Sequence, residues 1–135
     1  MKDVRGTYHS AFGNSFEQFV EFLQEAGTPA PFLSPMLFTQ AMCIDLETLA
    51  EQAHVHRATV FCAPGSRGIQ GFLRDSLRVI KAASDVNGDL HKVLFWYRNE
   101  PLSEFGYLTA ERLVSAGRTN DLMLYMTSIE AGVTG

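Results

Sequence analysis

Apolar residues recur along most of the chain at spacings of three and four, which is the pattern of amphipathic helices. The first clear series is Phe16, Phe19, Val20 and Leu23, and comparable series follow as far as Ile129. This periodicity predicts eight helices, over residues 16–26, 35–42, 46–53, 56–63, 67–84, 90–98, 110–116 and 121–131. No segment alternates apolar and polar residues as a half-buried strand does, so the predicted fold is all-α.

Residues that commonly start or stop helices lie at these boundaries. The predicted N-caps are Ser15, Asp45, Ser66, Asp89, Thr109 and Asn120. The predicted stops are Gly27, Pro64, Gly117 and Gly132, and Asn87–Gly88 is a typical turn. We expect a proline-punctuated loop over 28–35 and a flexible arm over the first ten residues.

Composition narrows the class of protein. The chain has 135 residues, of which 46% are hydrophobic and 19% charged, so it can form a packed core and is not expected to be disordered. A net charge of -4 excludes a uniformly basic nucleic-acid coat protein. The apolar runs are too short to span a membrane and the N-terminus lacks a signal-peptide pattern. We therefore expect a cytoplasmic protein without a membrane partner.

The middle of this acidic chain is basic. Residues 56–81 contain five basic side chains against Asp75 alone. The basic residues are Arg57, Arg67, Arg74, Arg78 and Lys81. Such a cluster fits either the solvated face of a helix or a surface that contacts phosphates, and the sequence leaves both open.

The segment 46–60, LETLAEQAHVHRATV, has the pattern of a helix-turn-helix. Ala50 would let the two helices approach, while Val55 and Val60 would fill the corner between them. Three polar residues would then lie at the start of the second, recognition helix, where side chains reach base edges. They are His56, Arg57 and Thr59, and Arg67 and Arg74 are the candidate phosphate contacts.

Signatures of catalysis are missing from the sequence, which contains no GxSxG, HExxH, P-loop or GxGxxG motif. His54 and His56 are two residues apart, a spacing that directs them away from a shared ion on a helix. Cys43 lies between apolar residues and is expected to be buried. We therefore predict a protein that is not an enzyme and has no metal or cofactor, with Trp96 as a core aromatic.

The residues from Trp96 onward follow a recognisable order: tryptophan, a loop with Pro-Leu, a short helix that ends in glycine, and a last helix with Ile-Glu-x-Gly. The positions are Trp96, Asn99, Pro101, Leu102, Thr109, Leu113, Gly117, Ile129, Glu130 and Gly132. In this order the stretch resembles the antitoxin C-terminal domain of the MbcA, ParS and Xre antitoxins. Ala110 departs from the family's usual proline. Residues 46–60 and 66–89 also resemble the Xre-type helix-turn-helix domain, so the resemblance covers about 35–135.

This resemblance implies a function and a division of the chain. Such antitoxins bind a RES-type toxin that degrades NAD, cover its active site and repress their own operon. The matching toxin-binding positions are Ile129, Glu130, Gly132 and Val133. We therefore expect an arm and helix over 1–30, a helix-turn-helix region over 31–84 and a toxin-binding domain over 85–135. The expected partners are a RES-domain toxin, operator DNA and a second copy in a homodimer.

Two other functions remain open on the sequence alone. A stand-alone helix-turn-helix regulator would bind DNA without a toxin partner, and a toxin gene next to this one would argue against it. A small hydrolase that uses a cysteine or histidine is disfavoured, because no spacing pairs a base with a nucleophile.

Overall fold

A computed structural model describes residues 12–24 and 32–134, with side chains described as far as Ile129. These residues form eight α-helices and one 3₁₀ turn at Ser103–Phe105. The helices are α1 Phe16–Leu23, α2 Pro35–Met42, α3 Leu46–Ala53, α4 Arg57–Cys62, α5 Arg67–Val86, α6 Leu90–Asn99, α7 Ala110–Ser115 and α8 Thr119–Thr134. An isolated bridge between Leu102 and Leu108 is the sole β-type pairing in the described ranges. The predicted all-α class is confirmed.

The chain divides into two compact units inside α5. Unit 1 ends at Leu73 and unit 2 begins at Arg74. The sequence placed divisions after residues 30 and 84 instead. The second half of α5 belongs with unit 2 because its Ser76 accepts a hydrogen bond from the Tyr97 hydroxyl of α6.

A buried glutamine links separate segments of unit 1 through hydrogen bonds. Gln70 on α5 accepts from the backbone N–H of Leu33 at 3.0 Å and donates to the Leu33 carbonyl at 2.8 Å. The same amide also donates to the Pro64 carbonyl at 2.9 Å. These bonds hold the chain on either side of the α2–α4 segment against α5. Apolar packing completes the unit, with the Phe38 and Phe72 rings edge to face at 6.4 Å.

Unit 2 has its own apolar core. Its fully buried side chains are Val79, Ile80, Leu90, Tyr97, Leu113 and Leu122. An ion pair of 3.3 Å between Arg98 Nε and the largely buried Glu111 carboxylate joins α6 to α7. Leu102, within the loop that links these helices, is buried, and its N–H donates to the Leu108 carbonyl at 3.0 Å.

Most predicted caps are confirmed. The side chains of Ser15, Asp45, Asp89 and Thr109 accept backbone N–H groups at the starts of α1, α3, α6 and α7. The predicted Ser66 cap is wrong in its chemistry, because the buried Ser66 hydroxyl has no hydrogen-bond partner among the described residues. Its carbonyl alone starts α5, by accepting from Gln70 N at 2.9 Å.

The predicted bounds of the last helix are also wrong. The helix α8 begins at Thr119, because Gly117 adopts φ +77° and the Arg118 carbonyl accepts from the Leu122 N–H at 3.1 Å. Asn120 is therefore inside the helix and does not cap it. The helix also continues to Thr134, so Gly132 does not stop it.

Two predictions of burial need correction. Cys43 is exposed, because it ends α2 in the left-handed conformation with φ 59°. The sequence also predicts surplus apolar surface for a dimer from the aromatic residues Phe16, Phe19, Phe22, Phe32 and Phe38, but Phe19 and Phe38 are buried in unit 1. The predicted Gly27 stop, residues 28–31 of the predicted loop and the predicted N-terminal arm lie outside the described residues.

Candidate functional site

The corner between α3 and α4 is formed by a left-handed residue and two backbone hydrogen bonds. His54 ends α3 in the left-handed conformation, φ 56°, and its N–H donates to the Glu51 carbonyl at 3.2 Å. The Val55 N–H donates to the Ala50 carbonyl at 3.0 Å, which completes a Schellman-type reversal. Ala50 and Val60 are buried and Val55 is half-buried. Small and branched apolar side chains therefore fill the corner.

The predicted base-reading residues lie together at the start of α4. His56 is the N-cap, and its imidazole Nδ1 accepts from the Ala58 N–H at 3.1 Å. Arg57 is the first helical residue and is exposed, whereas Thr59 is half-buried. An acidic neighbour, Glu47, lies 3.8 Å from the Arg57 guanidinium. An ion pair this exposed contributes little energy, so Arg57 is available to a ligand.

The two predicted phosphate contacts differ from the other basic residues of the central cluster. Arg78 pairs with Asp75 at 3.4 Å and Lys81 pairs with Asp85 at 3.4 Å, so these two cations are partly neutralised within the chain. Arg67 and Arg74 are exposed and form no ion pair with any side chain that the structure describes. Arg67 belongs to unit 1, and Arg74 is the first residue of unit 2.

The charge balance of unit 1 limits how strongly it can attract a polyanion. Its described residues carry five carboxylates, at Glu17, Glu21, Asp45, Glu47 and Glu51. The opposing cations in the same ranges are Arg57 and Arg67. Among the described residues of unit 1, carboxylates therefore outnumber cations, and Arg57 and Arg67 are the two cations there that could contact DNA.

Sequence reasoning missed Phe61, the most exposed large apolar side chain of the described part of unit 1. It is 59% exposed on α4 and follows Arg57 by four residues, so both point from the same face of the helix. The two side chains line a shallow depression with Leu46. The helical spacing from Arg57 was the signal in the sequence that could have identified it.

The predicted toxin-binding residues all lie on α8. Ile129 is 43% exposed, and Leu124 on the same helix is more exposed still. The backbone of α8 continues through Glu130, Gly132 and Val133. The side chains of Glu130 and Val133 lie outside the described residues.

Trp96 is not the buried core residue that the sequence predicted. It is half-buried and forms one wall of an open, mostly apolar groove of about 230 Å³ within unit 2. The groove is enclosed by the end of α5, by α6 and by α8. It depends on the tertiary packing of these helices, so the sequence pattern could not predict it. Among the residues whose side chains are described, its polar lining consists of Asn87, Lys92 and Tyr125.

Tyr125 is held in place by the 3₁₀ turn Ser103–Phe105. Its hydroxyl donates to the Glu104 carboxylate at 3.0 Å, and its ring packs edge to face on Phe105 at 5.4 Å. The Arg118 guanidinium lies 5.1 Å from the centre of the Phe105 ring. Partial burial, followed by the Glu104 contact, raises the pKa of Tyr125, so this hydroxyl is committed to Glu104 as a donor.

Candidate metal ligands do not cluster in the described ranges, where no group of three histidine, cysteine or acidic side chains could hold an ion. None of the described helices combines the length and apolarity needed to cross a bilayer.

No family model, curated protein or solved structure matches this chain. The function proposed for this chain therefore rests on the residues of its two units.

Proposed function

We propose that this chain is an antitoxin with two binding activities. Unit 2 binds a RES-type, NAD-degrading toxin and covers its active site. Unit 1 binds operator DNA through α3 and α4 and represses the operon that encodes the pair.

The observation that carries the proposal is the structural role of the residues that resemble the antitoxin C-terminal domain. Thr109 caps α7 by accepting from the Arg112 N–H at 3.2 Å, and Gly117 ends that segment with φ +77°. Leu102 and Leu113 are buried in unit 2. A helical domain needs a cap, a left-handed glycine and core leucines, and the quoted positions supply them here, which supports the proposal.

Exposed apolar side chains on unit 2 support a protein partner. Phe95, Tyr107, Leu124 and Ile129 are all large, apolar and exposed in this unit. A protein interface explains such side chains, because each Å² of apolar surface buried against a partner contributes about 25 cal/mol of favourable free energy.

The DNA-binding half of the proposal is supported by the α3–α4 corner. It presents Arg57 and Phe61 on one exposed face of α4, beside the buried Ala50 of α3 and Val60 of α4. An arginine can pair with guanine in the major groove, and an apolar ring can contact a thymine methyl group.

The test is direct binding between the purified chain and the RES-type enzyme encoded beside it, measured by calorimetry. Ile129→Asp should weaken the complex about tenfold or more, because it buries a carboxylate in an apolar contact. Met36→Asp is the matched control, since Met36 is 47% exposed in unit 1 against 43% for Ile129.

The proposal predicts that Met36→Asp binds like the wild type. It is contradicted if the wild-type chain forms no complex, or if the two variants lose affinity equally. Sequence-specific DNA binding without any toxin complex would instead identify a stand-alone regulator.

A further inference from the structure

The groove in unit 2 has walls suited to an apolar ligand. Val86 at the end of α5, Trp96 on α6 and Ile129 on α8 all line it. Val86 and Ile129 are also exposed to solvent, so the unbound groove leaves apolar surface in water. Covering this surface is favourable for any molecule that fits it.

Among the described residues, the free polar groups of the lining are hydrogen-bond donors. Lys92 is exposed and forms no ion pair with any described side chain. The Asn87 side-chain oxygen already accepts from the Asp89 N–H at 3.0 Å, which leaves its NH₂ group to donate. The Tyr125 hydroxyl is directed to Glu104. The groove therefore offers an ammonium and an amide NH₂ to a ligand, and these complement an anion.

The size of the groove limits the ligand further. Its volume of about 230 Å³ is below the roughly 300–1,000 Å³ of sites for drug-sized molecules. A nucleotide is too large and too polar for such walls. A small apolar tail with one anionic head group matches both the volume and the polarity.

We propose that this groove is a binding site for a small apolar carboxylate, such as a medium-chain fatty acid. The tail lies along Val86, Trp96 and Ile129, and the carboxylate accepts from Lys92 and Asn87. The assignment does not depend on the antitoxin function, because it follows from the lining alone.

The single tryptophan of the chain makes the site observable, because Trp96 lies in the groove wall. Decanoate is titrated into the full-length chain below its micellar concentration, and Trp96 fluorescence is recorded. Decanol and decylammonium, which share the tail and differ in head group, are titrated in parallel. We expect saturable binding with decanoate the tightest ligand and decylammonium the weakest.

Two exposed cations provide a matched pair of variants. Lys92→Gln should weaken decanoate binding about tenfold, the factor expected for one charge-assisted hydrogen bond, and leave decanol binding unchanged. Arg112→Gln removes an exposed cation that does not line the groove, so decanoate should bind it as tightly as the wild type.

A third variant tests the place of the tail. Ala83→Met adds volume to the lining and should abolish the response to decanoate and decanol alike, while circular dichroism shows an intact fold. The proposal is overturned if decanoate gives no saturable response, if the three ligands bind equally, or if Lys92→Gln binds decanoate like the wild type. It is also overturned if Trp96 fluorescence changes with protein concentration alone, because a second copy would then fill the groove.

Discussion

The hydroxyl of Tyr97 donates a hydrogen bond to the Oγ of Ser76 inside unit 2, with 3.0 Å between the two oxygens. Both side chains are buried, and the bond links α5 to α6. Burial raises the pKa of Tyr97 well above its ordinary value of 10.0. The hydroxyl therefore stays protonated and bonded at any physiological pH.

Replacing this hydroxyl should destabilise the protein modestly. Tyr97→Phe removes one buried hydrogen bond and keeps the ring, so we expect the free energy of unfolding to fall by about 0.5–1.5 kcal/mol. Tyr107→Phe is the control, because Tyr107 is exposed and its hydroxyl has no buried role. Urea denaturation of the three proteins compares them, and equal loss in both variants would refute the role of the Tyr97–Ser76 bond.

The same tyrosine gives a pH dependence with a definite sign. Above pH 10 the unfolded chain loses the Tyr97 proton while the folded chain keeps it, because the folded pKa is raised. The unfolded state then binds fewer protons, so stability falls as pH increases, by about 1.4 kcal/mol per unit for one such group. Tyr97→Phe should show a shallower decline above pH 10 in chemical denaturation. Parallel curves for the two proteins would be inconsistent with a protonated, buried Tyr97.

Trp96 should contribute less to stability than a core residue does. Trp96→Ala removes a half-buried groove wall, so its cost should be below the roughly 3–5 kcal/mol of a fully buried tryptophan. Leu113→Ala, at a fully buried position of the same unit, should cost about 2–5 kcal/mol. Thermal melts followed by circular dichroism give both values. A loss for Trp96→Ala larger than for Leu113→Ala would place the ring in the core after all.

The proposed DNA contacts divide into two kinds. Arg57→Ala should relax sequence preference by about 1–3 kcal/mol, because base contacts carry specificity. Arg67→Ala and, separately, Arg74→Ala should weaken all sequences alike and reduce the salt slope by about one unit. Arg112→Ala is the control for a lost surface cation. Fluorescence anisotropy at several salt concentrations measures these effects, and an Arg57→Ala variant with unchanged affinity and selectivity would rule out α4 as the recognition helix.

Local signals in the sequence were sufficient for most of the fold. Asp45, Asp89 and Thr109 cap helices as predicted, because an N-cap depends on one side chain and its own backbone neighbours. The predicted helix stop at Gly132 was wrong. A glycine inside a helix lowers helix stability by only about 1 kcal/mol relative to alanine and does not have to end the helix. The predicted burial of Cys43 was wrong, because Cys43 is the left-handed C-cap of α2, a position usually held by glycine, and its side chain is exposed there.

Features that depend on tertiary packing could not be read from the sequence. The Trp96 groove requires three helix segments that are distant in the chain, and periodicity alone assigns its ring to a core. The ion pairs of Arg78 and Lys81, in contrast, are local, because their partners lie three and four residues away in the same helix. These two pairs reduce the number of basic side chains in the central cluster that are free to contact a phosphate.

The extent of α8 determines what a C-terminal truncation should do. Deleting residues 131–135 removes the last turn of a continuous helix, because α8 runs to Thr134. We expect the shortened chain to remain folded and to bind operator DNA, while its affinity for the toxin falls. Calorimetry with the toxin and anisotropy with DNA separate the two activities. Unchanged toxin affinity would exclude this turn from the interface.

The most direct test of the proposed function is the NAD content of cells that express the adjacent RES-type toxin together with this chain from an unrelated promoter. Wild-type chain and Arg57→Ala should both preserve NAD and growth, because neutralisation does not require DNA recognition. Ile129→Asp should fail to protect, whereas Met36→Asp should protect fully. The account is contradicted if NAD is depleted to the same level with and without the wild-type chain.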